Sequence, residues 1–110
     1  MIAHIVLLQP RPGLDGTQRA DALAAIERAA ASLPNVRRFR LGRRVRHGLP
    51  GYEQLIQTDY EIALIIEVDD EAALQEYLTA PAHTAIGELF STATAAALAY
   101  DYEMTELGPR

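Results

Sequence analysis

The chain opens on an apolar run, Ile2-Ala3-His4-Ile5-Val6-Leu7-Leu8, closed by Gln9-Pro10-Arg11-Pro12-Gly13. Its shortness and branched residues predict a strand buried on both faces. Period two places His4 with Ile2, Val6 and Leu8, away from Ala3, Ile5 and Leu7. The period then lengthens. Asp15 and Gln18 form a capping-box pattern, and Leu23, Ile26, Ala30 and Leu33 recur at helical spacing, predicting a helix to about Leu33 that Pro34-Asn35 stops. Val36 to Arg46 alternates again, with Phe39, Leu41 and Val45 on one face and Arg38, Arg40, Arg44 and Arg46 on the other. Asp59 to Val68 is the clearest strand: Tyr60, Ile62, Leu64, Ile66 and Val68 share an apolar face, and Asp59, Glu61, Ala63, Ile65 and Glu67 a mixed one.

After Asp69-Asp70, a capping pair, Leu74, Tyr77 and Leu78 form a helical stripe. Pro81 suits the first turn of a further helix, with Thr79 a better cap chemically than Ala80, and His83, Ile86, Gly87 and Phe90 on one face. Ser91 to Met104 predicts a last strand, in which Leu98, Tyr100 and Tyr102 alternate against Ala97, Ala99, Asp101 and Glu103. The order β-α-β-β-α-(α)-β describes an α+β, ferredoxin-like plan with one four-stranded antiparallel sheet and helices on one of its faces. The connection from His47 to Thr58 carries Leu49, Tyr52, Leu55 and Ile56, too apolar for a free linker, and reads either as a lid over a pocket or as a loop that packs.

Composition narrows the function classes. A chain of 110 residues is one domain, 1–110, of ordinary apolar and charged content. No apolar run is long enough for a membrane span, and MIAHIVLLQP lacks the basic start and cleavage site of a signal peptide. With no cysteine there is no disulfide or thiolate chemistry, and a cytoplasmic location is expected. A net charge of −5 argues against nucleic acid and anionic membrane as partners. Six arginines lie between Arg37 and Arg46, but the chain has no lysine, and the acids of the neighbouring strand offer them partners.

The candidate chemistry lies at the helix junction. His83, in a first helical turn where the dipole is positive, should be neutral near pH 7 and able to accept a proton, a position that suits a general base and a buried structural histidine equally; His4 reads first as a buried histidine bonded to a neighbour. Tyr77 is on the inward stripe of the preceding helix, so its hydroxyl needs a partner. His4, His47 and His83 show no metal-ligand spacing, and no cofactor motif is present.

Met1-Ile2-x-His4-Ile5-Val6-Leu7, Leu33-Pro34-Asn35-Val36 with Gly42, Asp59-Tyr60-x-x-Ala63-Leu64, Tyr77-x-x-x-Pro81-x-His83 and Tyr100-Asp101-Tyr102 together resemble the stress-responsive A/B barrel (Dabb) family over nearly the whole chain. The resemblance implies a homodimer in which two sheets close into an α/β barrel. One branch of that family, similar to olivetolic acid cyclase, performs aldol cyclisation of a linear polyketide, with a histidine as base and a supporting tyrosine. His83 and Tyr77 stand at the matching places, His4 matches a further pocket histidine, and Ala80 and Ile62 replace histidines of that branch. The expected pocket takes a small apolar or phenolic ligand, has His83 and Tyr77 as catalytic residues, and is walled by His4, Ile62, Leu64 and Phe90, with no cofactor. Three other readings stay open: a non-catalytic ligand-binding protein, a stress-related dimer valued for its stability, and a cofactor-free monooxygenase of the same architecture.

Overall fold

A computed structural model of the chain describes residues 1–52 and 58–108. Seven elements follow one another: β1 (Ile2–Pro10), α1 (Gly16–Ser32), β2 (Val36–Arg43), β3 (Ile62–Val68), α2 (Glu71–Thr79), α3 (Pro81–Ala93) and β4 (Thr94–Glu103). The strands form one antiparallel sheet in the order β2-β3-β1-β4, the ferredoxin-like arrangement. The apolar run of β1 is central because it has a neighbour on both sides.

The helices cover one face. Ile62, Leu64, Ile66 and Val68 of β3 point into it and cluster with Val6, Leu8, Ile26, Leu74 and Tyr77. The opposite face carries Ala3, Ile5, Leu7, Ala63 and Ile65, opposed in register by Leu98, Tyr100 and Tyr102 of β4. Tyr100 and Tyr102 remain 55% and 51% exposed there.

Local chemistry sets the element ends. The capping box of α1 is complete: the Gln18 backbone N–H donates to Asp15 at 2.7 Å and the Asp15 backbone N–H to the Gln18 side chain at 3.0 Å. Asn35 then turns the chain toward β2 at φ 59°, a conformation asparagine tolerates better than most residues. Asp70 alone caps α2, through the Ala73 N–H at 2.9 Å. Asp69 instead receives two hydrogen bonds from Arg37, at 2.7 and 3.0 Å, which hold its carboxyl below the usual range.

Four expected boundaries shift. Thr79 is the last residue of α2, its hydroxyl donating to the Gln75 carbonyl at 2.8 Å. Ala80 therefore caps α3 with no side-chain bond, at an extended backbone that suits the residue before a proline. Ser91 and Thr92 remain helical, their hydroxyls bonded back to the Glu88 and Leu89 carbonyls, and β4 starts only at Thr94. β3 begins at Ile62 rather than Asp59, since the Glu61 N–H turns to the Gln9 side chain at 3.1 Å. β2 ends at Arg43, leaving Val45 79% exposed.

The arginines meet acids. Arg40 donates to Glu67 at 3.0 Å with Arg38 nearby at 3.9 Å, and Arg44 and Arg46 share Asp59. Glu61 pairs across to Arg19 of α1. In the loop after β2, the described residues Leu49 and Tyr52 are exposed, and the Tyr52 ring meets His47 edge-on at 5.5 Å. Leu55 and Ile56, the other half of the expected lid, lie outside the described residues.

Candidate active site

Three rings from three elements converge under the helices. His4 comes from the middle of β1, Tyr77 from the inward stripe of α2, and His83 from the first turn of α3. The centroids are 5.2 Å apart for His4 and Tyr77, 4.9 Å for Tyr77 and His83, and 6.0 Å for the two histidines, all edge-on. Tyr77 is 2% exposed and His4 4%, whereas His83 is half-buried.

His4 lies opposite Asp101 in the β1–β4 register, and its Nδ1 is 2.6 Å from the Asp101 carboxylate. A carboxylate can only accept, so Nδ1 carries the proton and Nε2 is the nitrogen left for other chemistry. The His83 ring lies near the Leu78 backbone carbonyl. Burial lowers the pKa of His83, the neighbouring His4 adds to this, and the Leu78 carbonyl and Asp101 partly oppose it. His83 is thus neutral near pH 7, as expected, but the cause is desolvation. Its own backbone N–H is already paired with the Ala80 carbonyl at 3.0 Å.

Tyr77 departs from expectation. Among the described residues its hydroxyl has no hydrogen-bond partner; its ring lies edge-on to the two histidine rings and packs in the core. Burial, and then the charge of Asp101, raise its pKa, so the phenol stays protonated. A buried hydroxyl without a partner costs about 1–3 kcal/mol.

His4 and His83 open onto a cleft of about 370 Å³ between α3 and β4. It exists because the residues around it are small: Gly87 on α3, and Ala97 and Ala99 on the inward side of β4. Val6, Leu78, Phe90, Leu98 and Asp101 complete the wall, and Tyr77 sits behind the histidines. A second hollow of about 50 Å³ lies further along, between α1, α3 and the sheet. Ile62 lines that chamber instead of the cleft, Phe90 lines both, and Leu64, 1% exposed, lines neither because it is core.

Asp101 was not among the residues singled out from the sequence. Its signal was present as an acid that follows Ala97 and Ala99 on the inward side of β4, with Glu103 after it. Among the described residues no group of three histidine, cysteine, aspartate or glutamate side chains is arranged to hold a metal ion. No described helix is long and apolar enough to cross a membrane.

Residues 2–104 match the model of the stress-responsive A/B barrel domain. The chain belongs to the Dabb family. No curated protein matches it in sequence. Solved structures share the fold at low identity. A protein from Arabidopsis thaliana is 17% identical with a TM-score of 0.79, over 99% of this chain and 100% of that one. A hydroxynitrile lyase from Passiflora edulis is 16% identical with a TM-score of 0.78, over 98% and 96%. A dimeric ferredoxin-like protein of unknown function from Thermobifida fusca is 20% identical with a TM-score of 0.73, over 94% and 90%. This Dabb chain therefore has a fold on which at least one lyase is built, while its own chemistry has to be argued from its own cleft.

Proposed function

We propose that this Dabb protein is a homodimeric acid–base enzyme, of the aldol or cyclase type, acting on a small carbonyl or phenolic compound. The observation that carries this is the convergence of His83 and the His4–Asp101 pair on one open cleft, backed by Tyr77. Neutral His83 removes a proton from the carbon next to a carbonyl. The electron pair left behind moves to the carbonyl oxygen as an enolate, which re-forms that carbonyl as its carbon attacks a second one; the π pair of the second carbonyl moves to its oxygen, and this alkoxide takes the proton back from the His83 imidazolium. His4, held by Asp101, is the second proton-transfer group, and Tyr77 positions both rings. General acid–base catalysis of this kind contributes about 10²–10⁴-fold. The hydroxynitrile lyase neighbour supports lyase chemistry as compatible with the fold.

The dimer follows from the open sheet face. Ile5, Leu7 and Ile65 together with exposed Tyr100 and Tyr102 form an apolar surface that a second copy would cover. The dimeric Thermobifida neighbour supports it.

The test is His83→Ala against β-polyketo and phenolic compounds. Turnover or binding should disappear while light scattering shows an unchanged dimer. If the variant only lowers the melting temperature, and no such compound shifts the wild type, His83 merely holds the helix junction.

A further inference from the structure

Asp101 borders two hollows. In the cleft between α3 and β4, His83 stands on the helix wall and Asp101 on the strand wall. Beyond Asp101, where β1 and β4 end and α2 starts, lies an open hollow of about 550 Å³ that it also lines. Its Oδ1 meets His4 at 2.6 Å, and among the described residues its Oδ2 has no hydrogen-bond partner. The side chain is 37% exposed, so a ligand can reach that second oxygen. A carboxylate only accepts, so what Oδ2 takes from a ligand is an N–H or O–H.

Charge in the cleft is one-sided. Among its described lining residues Asp101 is the one acid and none is arginine, and the chain has no lysine. His83 supplies no positive charge near pH 7, because burial lowers its pKa. The outer hollow carries the same sign: Glu71 and Glu103 border it, and its positive groups are the Met1 amino group and Arg37, already bound to Asp69. An anionic ligand entering the cleft leaves water and meets no cation, which is costly. A cationic one meets Oδ2, and hydrogen bonds between charged partners are the stronger kind.

We infer that Asp101 selects ligands by charge: the cleft takes a carbonyl or phenolic compound bearing a protonated amine, which donates to Asp101 Oδ2 while the oxygen end lies beside His83, and it rejects the carboxylate counterpart. This rests on the proposed acid–base reading and adds the charge class of its substrate. Asp101 then acts twice, positioning His4 through Oδ1 and choosing the ligand through Oδ2.

The experiment is calorimetric titration of the full-length protein, at about pH 8 where free histidine is neutral, with three phenols that share a ring and differ in charge: tyramine, 4-ethylphenol and 4-hydroxyphenylacetate. The wild type should bind tyramine roughly tenfold tighter than 4-ethylphenol, and 4-hydroxyphenylacetate weakest. Added salt should weaken tyramine and leave 4-ethylphenol unchanged. In Asp101→Asn the three affinities should converge; taking their ratio within one protein cancels what the substitution does to the ring site through His4. Equal affinities in the wild type, a preference for the anion, or no binding of any of the three overturns the inference. So does a tyramine affinity indifferent to salt, which decides the matter even if Asp101→Asn does not fold. A preference lost as fully in Glu103→Gln would place the selecting charge in the outer hollow and remove it from Asp101. Proton exchange from an aryl methyl ketone in D₂O separates the two proposals. Exchange independent of His83, beside the expected charge order, leaves the selection standing and removes the acid–base reading. Exchange that needs His83, without the charge order, does the reverse.

Discussion

β3 and β4 lie in the same sheet, yet they present their larger apolar side chains to opposite faces. β3 sends Ile62, Leu64, Ile66 and Val68 under the helices, where none is more than 7% exposed. β4 sends Leu98, Tyr100 and Tyr102 to the open face and leaves Ala97, Ala99 and Asp101 beneath α3. The consequence is local. Where β3 runs, large side chains fill the space between sheet and helix; where β4 runs, Ala97 and Ala99 leave it hollow, and Asp101 beside them meets His4. The candidate site sits where inward packing is deliberately thin, and the surface that would join two copies lies on the other side of the same strand.

This contrast can be broken in order of effect. Leu64→Ala removes a side chain that is 1% exposed and should cost about 2–5 kcal/mol of unfolding free energy, read by denaturant titration. A cost well below that range would mean β3 is not the core strand. Ala99→Leu, the converse change on β4, should fill the cleft and lower turnover or ligand affinity by about tenfold or more, corresponding to about 1.4 kcal/mol. Its unfolding free energy should change far less than that of Leu64→Ala; if activity is untouched, the cleft is not where ligand binds.

A smaller effect comes from pH. The pKa of His83 is lowered in the folded chain relative to about 6.5 for an unperturbed histidine. The unfolded chain therefore binds the proton more readily, and stability rises with pH across this window. The contribution is complete above about pH 6.5 and is lost as pH falls toward the folded value. His83→Gln should flatten that part of the stability curve, and an unchanged slope would assign the dependence elsewhere. Last, Arg40→Ala should cost only about 0.2–1 kcal/mol, because the Arg40–Glu67 pair at 3.0 Å is exposed on the arginine side. A larger loss would show that this pair is shielded, as it would be beneath a partner subunit.

What could be read from the sequence follows from the range of the interactions. The capping box at Asp15 and Gln18, the stop at Pro34-Asn35 and the inward face of β3 rest on residues within a few positions of each other, and the structure places them as expected. Local chemistry also misled. Thr79 is a good cap in principle, but its hydroxyl found the Gln75 carbonyl first, and Ser91 and Thr92 lengthened α3 by the same kind of bond. The site itself was half legible. His4, Tyr77 and His83 stand out as inward polar residues, whereas the His4–Asp101 bond spans 97 positions and depends on the β1–β4 register, which no local pattern encodes. Ile62 and Leu64 looked like pocket walls because inward apolar residues of one strand look alike in sequence; only the packing shows that one borders a chamber and the other is core.

The acid–base reading is tested most directly by proton exchange at carbon. An aryl methyl ketone incubated with the protein in D₂O, followed by NMR, reports removal of the proton next to the carbonyl without requiring the natural substrate. Exchange faster than in buffer is expected for the wild type, falling to the buffer rate in His83→Ala and to an intermediate rate in Asp101→Asn. Exchange in the wild type no faster than in buffer, or equally fast in His83→Ala, would contradict a proton-abstracting role for His83.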